Sequence, residues 1–171
     1  RVDQMRKLII LLVSVAIVSL ASCGYRLRGQ LPLAERINVL YIESRAGSFD
    51  VVDRFSELLS GGIEGTGAEI VTDPALAKAV LTIVEISFDR LVRTLDSRGK
   101  VNSYTLQYLV IYDLFDVSGD VISKGRALQE LADFDFNPDL VIEKEEEEEA
   151  IRETMEDELV LRILRQLSTL G

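Results

Sequence analysis

The sequence of 171 residues contains no histidine and no tryptophan, and it has a single cysteine, Cys23. Histidine is the side chain that most often serves as a general base and as a metal ligand near neutral pH. Its absence excludes Ser-His-Asp and Cys-His catalysis, and no other nucleophile–base pair can be assembled from the chain. With one cysteine, no disulfide can form within the chain. The sequence therefore predicts a protein that is not an enzyme and that holds no metal or diffusible cofactor.

Basic residues are also scarce relative to acidic ones. The chain has 19 Lys and Arg against 29 Asp and Glu, which gives a formal net charge of −10. This balance disfavours nucleic acid as a partner, and it gives no general attraction to anionic membranes. Any anionic ligand would need a local basic patch.

The first 23 residues contain the features of a bacterial lipoprotein signal in their usual order. Two basic residues at positions 6 and 7 precede an uncharged segment, residues 8–20. That segment is too short for a membrane-spanning helix, which needs roughly 20 residues, but it fits the apolar region of a secretory signal. Leu-Ala-Ser-Cys, residues 20–23, then resembles a lipobox, in which a peptidase cuts just before the cysteine. Residues 1–22 are therefore predicted to be a signal peptide that is removed.

Cys23 is the predicted site of lipid attachment. Its thiol would carry a diacylglyceryl group through a thioether, and the freed amine would take a further acyl chain such as palmitate; two or more chains anchor a protein stably to a membrane. Gly24, where aspartate would retain an enteric lipoprotein at the inner membrane, predicts an outer-membrane anchor facing the periplasm. The alternative is a buried free cysteine, which accounts for neither the basic start nor the small residues.

The remaining chain has the length of one domain. Met5 is the expected start of translation, residues 23–36 are expected to form a lipidated tether, and residues 37–171 a single domain. Removal of the signal peptide would take away three basic residues and one acidic residue, so the net charge would change from −10 to −12.

Four segments have the pattern of strands. Residues 37–44 are rich in β-branched side chains and alternate partway. Residues 79–96, 101–117 and 121–134 are separated by the turn signals SRGK and SGD, so they predict an antiparallel meander. In the first of these three, Leu81, Ile83 and Glu85 are expected on one face, opposite Val80, Thr82, Val84, Ile86 and Phe88. In the second, one face is expected to carry Tyr104, Leu106, Tyr108, Val110, Tyr112 and Leu114.

Two segments follow the helical period of i, i+3, i+4 and i+7. The first, residues 48–65, is expected to begin at a Ser48 or Asp50 cap and to fray or stop at Gly61-Gly62. The second follows Pro138, with Asp139 as a possible cap. Its apolar stripe is Ile151, Met155, Leu159, Ile163 and Leu167.

The order of these elements predicts an α/β (α+β) fold, a two-layer sandwich with two amphipathic helices on one face of a four-stranded mixed sheet. Two motifs within it are interpreted as structural. GGIEGTG, residues 61–67, lacks the Gly-Lys-Ser/Thr of a P-loop. The run Glu145–Glu149 points around a helix and predicts a solvated face.

A local basic cluster is the candidate functional site. Arg90, Arg93, Arg98 and Lys100 fall within eleven residues around the turn of the first long hairpin. Arginine is suited to bidentate binding of phosphate. The alternative is an ordinary solvated hairpin tip whose charges discourage edge pairing.

The residues CGYRLRG, 23–29, resemble the start of the LPS-assembly lipoprotein LptE (RlpB) family, where LPS is lipopolysaccharide. The segments YTLQYLVIYDLFD, LQELADF and LVLRILRQLSTL follow in a similar layout. The resemblance implies two helices on a four-stranded sheet and a non-enzymatic protein. It also implies a plug within LptD, an outer-membrane β-barrel, with which it inserts LPS into the outer leaflet. The basic cluster would then contact the phosphates of LPS.

A second interpretation stays open at this point. A structural outer-membrane lipoprotein, acting in β-barrel assembly or in cell-wall attachment, would share the lipobox, the acidic surface and the lack of histidine. Such a protein would not accompany one LPS-export barrel at equal stoichiometry.

Overall fold

The structure of the protein is a computed structural model that describes residues 32–46 and 49–170. Cys23, the predicted signal peptide and most of the predicted tether lie outside the described residues. The described elements follow one another as β1 (Val39–Ser44), α1 (Phe49–Gly65), β2 (Glu69–Ile70), β3 (Ala79–Leu95), β4 (Val101–Asp116), β5 (Val121–Asp135) and α2 (Val141–Ser168).

The strands form one mixed sheet in the order β2-β1-β3-β4-β5. β1 lies parallel to both β2 and β3, whereas β3, β4 and β5 form the predicted antiparallel meander. The sheet thus has five strands, and the prediction of four was wrong. The missed strand, β2, has two residues, which is too short for any hydrophobic alternation to reveal.

β1 is shorter than predicted. The strand expected over residues 37–44 begins at Val39, because Glu35–Ile37 form a 3₁₀ turn. Ile37 in this turn is fully buried, so the apolar residue that suggested a strand serves the core from the turn.

A β-bulge changes which residues of β3 face the core. The pairing with β4 shifts between Ile83 and Glu85, so one extra residue is accommodated there. Ile86 is therefore buried beyond the bulge, on the same face as Ile83, whereas Glu85 is exposed. The predicted faces of β3 were wrong from Glu85 onward, because strict alternation cannot anticipate an inserted residue.

Both helices pack on one face of the sheet. The buried residues of α1, which include Phe55, Leu59 and Ile63, belong to the same cluster as those of α2. The predicted core face of β4 lies in this cluster too, with Tyr108 and Tyr112 among the largest fully buried side chains. The other face of the sheet has no helix of the described residues over it. The predicted two-helix layer on one face is confirmed.

The start of α2 differs from the prediction. Leu140, not Asp139, is the N-cap residue, and no side chain caps this end of the helix. The connection before it is a turn, in which Asn137 Oδ1 accepts a hydrogen bond from the Asp139 N–H at 3.0 Å. The Asn137 side chain therefore organises the turn before the helix. The first helical N–H groups have no side-chain acceptor.

The glycine pair in α1 does not end the helix, which continues to Gly65. Gly62 is instead a contact point between the helices. A Cβ atom there would lie 2.9 Å from Val160 Cγ1 and 3.2 Å from Leu164 Cδ1 of α2, whereas a Cβ at Gly61 would meet open space. Gly62 is required for the close approach of α1 to α2.

These two neighbouring glycines give a matched test of the helix–helix contact. Gly61→Ala should raise the free energy of unfolding by about 0.5–1 kcal/mol through helix propensity alone. Gly62→Ala should lower it by about 0.5–2 kcal/mol, because overpacking against the stiff Val160 outweighs that gain. Thermal and urea unfolding of both variants measure the difference, and equal stabilisation by both alanines would contradict the close approach.

Candidate functional site

The candidate basic cluster lies on the long β3–β4 hairpin, but its members are divided between the two faces of the sheet. Arg90 lies on the helix face, since its register partner is the buried Leu106. Its Nε donates a hydrogen bond to Oε1 of Glu148 in α2 at 2.8 Å. The Arg90 side chain is half exposed, so one edge of the guanidinium faces solvent.

Arg93 lies on the opposite face of the sheet, over which no helix of the described residues lies and which we call the open face. Its guanidinium forms an ion pair with Asp133 of β5 at 2.9 Å, and both side chains are substantially exposed. A surface pair of this kind stabilises by about 0–1 kcal/mol, so Asp133 holds Arg93 only weakly. The structure therefore does not bring Arg90 and Arg93 together at one point.

Arg98 and Lys100 lie in the turn at the tip of the hairpin. Asp96 organises this turn, since its Oδ1 accepts hydrogen bonds from the backbone N–H of Arg98 at 2.8 Å and of Lys100 at 2.9 Å. Its Oδ2 accepts from the Arg98 guanidinium. The backbone N–H of Lys100, followed by that of Arg98, holds the pKa of the Asp96 carboxyl below its usual range. This carboxylate thus holds both cations at the tip.

The tip borders an open groove of about 490 Å³ beside the connection from β5 to α2. Cations, amides and one aromatic ring line it, contributed by Arg98, Lys100, Asn102, Phe136 and Asn137. No carboxylate among the described residues pairs with the Lys100 ammonium, although Asp96 and Asp139 also line the groove. Lys100 and the outer edge of Arg98 are thus the cations of the cluster that are most accessible to an anion.

The sequence predicts a solvated face for the acidic run of α2, but the run is not uniformly solvated. Glu145, Glu146 and Glu147 are exposed, but Glu148 is buried against Arg90. The run also supplies Glu149 to an ion pair with Arg54 of α1. Helical spacing from the apolar stripe could have placed Glu148 near the sheet, although not its partner.

A buried carboxylate in the middle of α2 is the strongest electrostatic feature that sequence reasoning missed. Glu156 has no exposed surface, and its Oε1 accepts hydrogen bonds from Tyr108 Oη of β4 at 3.2 Å and from Arg152 Nε at 3.1 Å. Arg54 Nε of α1 lies 2.9 Å from Oε2, at an angle that makes the attraction Coulombic and not a hydrogen bond. Glu156 therefore links both helices to the sheet.

The surroundings of this carboxylate affect the tyrosines of the core. Burial, followed by the charge of Glu156, raises the pKa of Tyr108. Burial likewise raises the pKa of Tyr112 to about 12, and its hydroxyl donates to Gln166 Oε1 of α2 at 2.6 Å. Both hydroxyls stay protonated at neutral pH and serve as hydrogen-bond donors that fix α2 on the sheet.

Two features are absent from the described residues. Those residues contain no group of three or more His, Cys, Asp or Glu side chains that could hold a metal ion. Likewise, no helix in them is long and apolar enough to cross a membrane.

Several solved structures share this architecture. Lipoprotein B from Nitrosomonas europaea has 23% sequence identity and a TM-score of 0.62, over 85% of this chain and 90% of that one. A minor lipoprotein from Acinetobacter baumannii has 21% identity and a TM-score of 0.63, over 81% and 94%. The rare lipoprotein B from Shewanella oneidensis has 20% identity and a TM-score of 0.63, over 77% and 94%. Among curated proteins, none matches this chain.

These likenesses define the class of fold, a two-layer α+β domain with two helices on one face of a mixed sheet. The profile of the family described as "LptE: Lipopolysaccharide-assembly" matches residues 35–167, most of the chain. The chain belongs to the LptE family, as its first residues had suggested, and so has a role in the assembly of lipopolysaccharide.

The buried carboxylate gives a test of how the layers are held together. Glu156→Gln should lower the free energy of unfolding by about 1.5–3 kcal/mol, because it removes the buried charge that accepts hydrogen bonds from Tyr108 and Arg152. Glu158→Gln, an equal change at an exposed position two residues further along α2, should have an effect within about 0.5 kcal/mol. Urea unfolding followed by circular dichroism measures both, and equal effects would show that Glu156 does not hold the layers together.

Proposed function

We propose that this protein is an outer-membrane lipoprotein that plugs an LptD-like β-barrel, helps the barrel to assemble, and takes part in inserting LPS into the outer membrane. The observation that carries the proposal is the match of the LptE family profile over residues 35–167. The protein acts by binding and not by catalysis, which agrees with a sequence that lacks histidine.

The surface of the domain suits a plug. Barrel lumens of the outer membrane are polar, so a protein inside one can have a charged surface and need not be hydrophobic outside. The described surface is rich in acidic and basic side chains, many of them in ion pairs. The open face of the sheet, which neither helix of the described residues covers, would give such a protein a broad contact surface.

The proposed anchor is the lipid on Cys23, after removal of residues 1–22. Its acyl chains would hold the domain at the periplasmic leaflet of the outer membrane. The three similar lipoproteins support this proposal by their names alone, and the lipobox residues support it by their order along the chain.

The proposed LPS contacts are Arg90, Arg93, Arg98 and Lys100. LPS carries phosphates, and a chain with a net charge of −10 can bind them only at a local concentration of cations. Arg98 and Lys100 at the groove are the accessible members. Arg90 and Arg93 would exchange their carboxylate partners, Glu148 and Asp133, for the ligand.

A second candidate function is a structural lipoprotein of β-barrel assembly or cell-wall attachment. The observation that favours it is that Arg90, Arg93 and Arg98 all have carboxylate partners within the chain. Ion pairs of this kind would keep the hairpin soluble even if it bound no ligand.

Affinity purification of the tagged full-length protein from outer membranes separates these functions. We expect one large β-barrel at equal stoichiometry, identified by mass spectrometry. The matched control, Cys23→Ser, should shift the protein out of the membrane fraction, because the acyl anchor is lost. Recovery of barrel-assembly components or of peptidoglycan in place of a single barrel would reject the plug and support the second function.

Charge reversal at the hairpin tip tests the LPS contact. Arg98→Glu combined with Lys100→Glu should weaken binding of purified LPS at least about tenfold, since two charge-assisted contacts of about 1.5–3 kcal/mol each are lost. The control pair, Arg45→Glu with Lys124→Glu, changes the net charge equally at exposed positions away from the tip. Binding of labelled LPS in detergent measures both, and equal loss in the two double variants would assign the effect to net charge.

A further inference from the structure

The first turns of α2 lie over the helix-face side of the β3–β4 hairpin. The main polar contact there joins Arg90 to Glu148, whose side chain is only 10% exposed against 50% for Arg90. A carboxylate is thus held where a phosphate or carboxylate of a ligand would bind the same guanidinium. The contact pairs a residue of the candidate ligand site with a residue of the same chain.

A cavity of about 170 Å³ lies at this contact. Its aromatic and aliphatic lining consists of Phe134, Phe136 and Val141, and Arg90, Lys144 and Glu148 lie at its polar side. The Lys144 ammonium stands 5.6 Å from the centroid of the Phe134 ring. Glu145 also lines the cavity, so its two cations are balanced by two carboxylates beside an apolar wall. Displacement of the Glu148 carboxylate would leave Arg90 beside that wall, an arrangement that suits an amphiphilic anion.

The segment that closes this cavity is held less firmly than the rest of α2. Its N-terminus lacks a side-chain cap, and Val141 and Ile142 are 46% and 74% exposed. From Met155 onward, by contrast, the helix is bound to the core by its buried stripe and by Glu156. Segments with few buried contacts and an uncapped end open at low free-energy cost.

We infer that residues 141–149, the first turns of α2, act as a latch. In the closed state the Glu148 carboxylate pairs with the Arg90 guanidinium, and the phosphate of an amphiphilic ligand opens the latch by displacing that carboxylate. The inference rests on the proposed function, because the anion in question is the phosphate of LPS. When the latch opens, Arg90 is released from Glu148 for the phosphate, and Phe134 and Phe136 become accessible to an apolar chain.

The latch has a quantitative consequence for affinity. A ligand that binds only the open state has its apparent affinity reduced by the fraction of molecules that are open. Glu148→Gln removes the competing charge but keeps an oxygen that can accept from Arg90, so the helix is not expected to unfold. Apparent affinity should therefore rise in this variant.

The test compares three full-length proteins in detergent, wild type, Glu148→Gln and Glu146→Gln, for binding of purified labelled LPS. Glu146 is exposed on the same run, so its substitution makes an equal change in net charge. We expect binding to Glu148→Gln to be about three- to tenfold tighter than to wild type, as for the loss of one partly buried ion pair. The control should stay within about twofold of wild type.

Hydrogen exchange gives a second readout on the unaltered protein. If LPS opens the latch, the backbone amides of residues 141–149 should exchange faster when LPS is bound, while those after Met155 should not. Slower or unchanged exchange in residues 141–149 would overturn the latch. If wild type, Glu148→Gln and Glu146→Gln all bound LPS with equal affinity, the latch would also be overturned, but the proposed LPS contact would stay in place. Absence of LPS binding in all three proteins would overturn both.

Discussion

The buried carboxylate of Glu156 is the interaction on which the arrangement of the two layers depends. It receives a hydrogen bond from Tyr108 of the sheet and lies against Arg54 of α1 and Arg152 of its own helix. A buried charge without partners is costly, so helix α2 is fixed in the one register that satisfies this carboxylate. That register places Glu148, about two turns earlier along α2, over the hairpin where it meets Arg90.

Packing both helices on one side explains how the cations are distributed. Because β3 and β4 extend past the helix layer, the hairpin tip carries Arg98 and Lys100 into solvent, where Asp96 fixes the turn. Arg93 lies on the face of the sheet over which no helix of the described residues lies. The hairpin tip of this strongly acidic protein of the LptE family thus presents two accessible cations beside the groove.

The sequence predicted features that depend on regular periodicity and missed those that depend on single residues or long-range contacts. The alternation of β4 and the stripe of α2 were predicted and confirmed, because the core selects one face of each element. The two-residue strand β2 is too short to show that periodicity, and the bulge near Val84 interrupts it. The partners of Arg90 and Arg93 lie 58 and 40 residues away along the chain, so spacing alone could not identify them.

The measurement that tests the central claim most directly is photo-crosslinking in living cells. A photoreactive amino acid would replace Lys100 at the hairpin tip and, as a control, Lys124 at the start of β5. If the tip meets LPS within a barrel complex, irradiation yields an LPS adduct from position 100 and none from position 124. Adducts from both positions, or from neither although the protein is recovered with its barrel, would contradict an LPS-binding role for the hairpin tip.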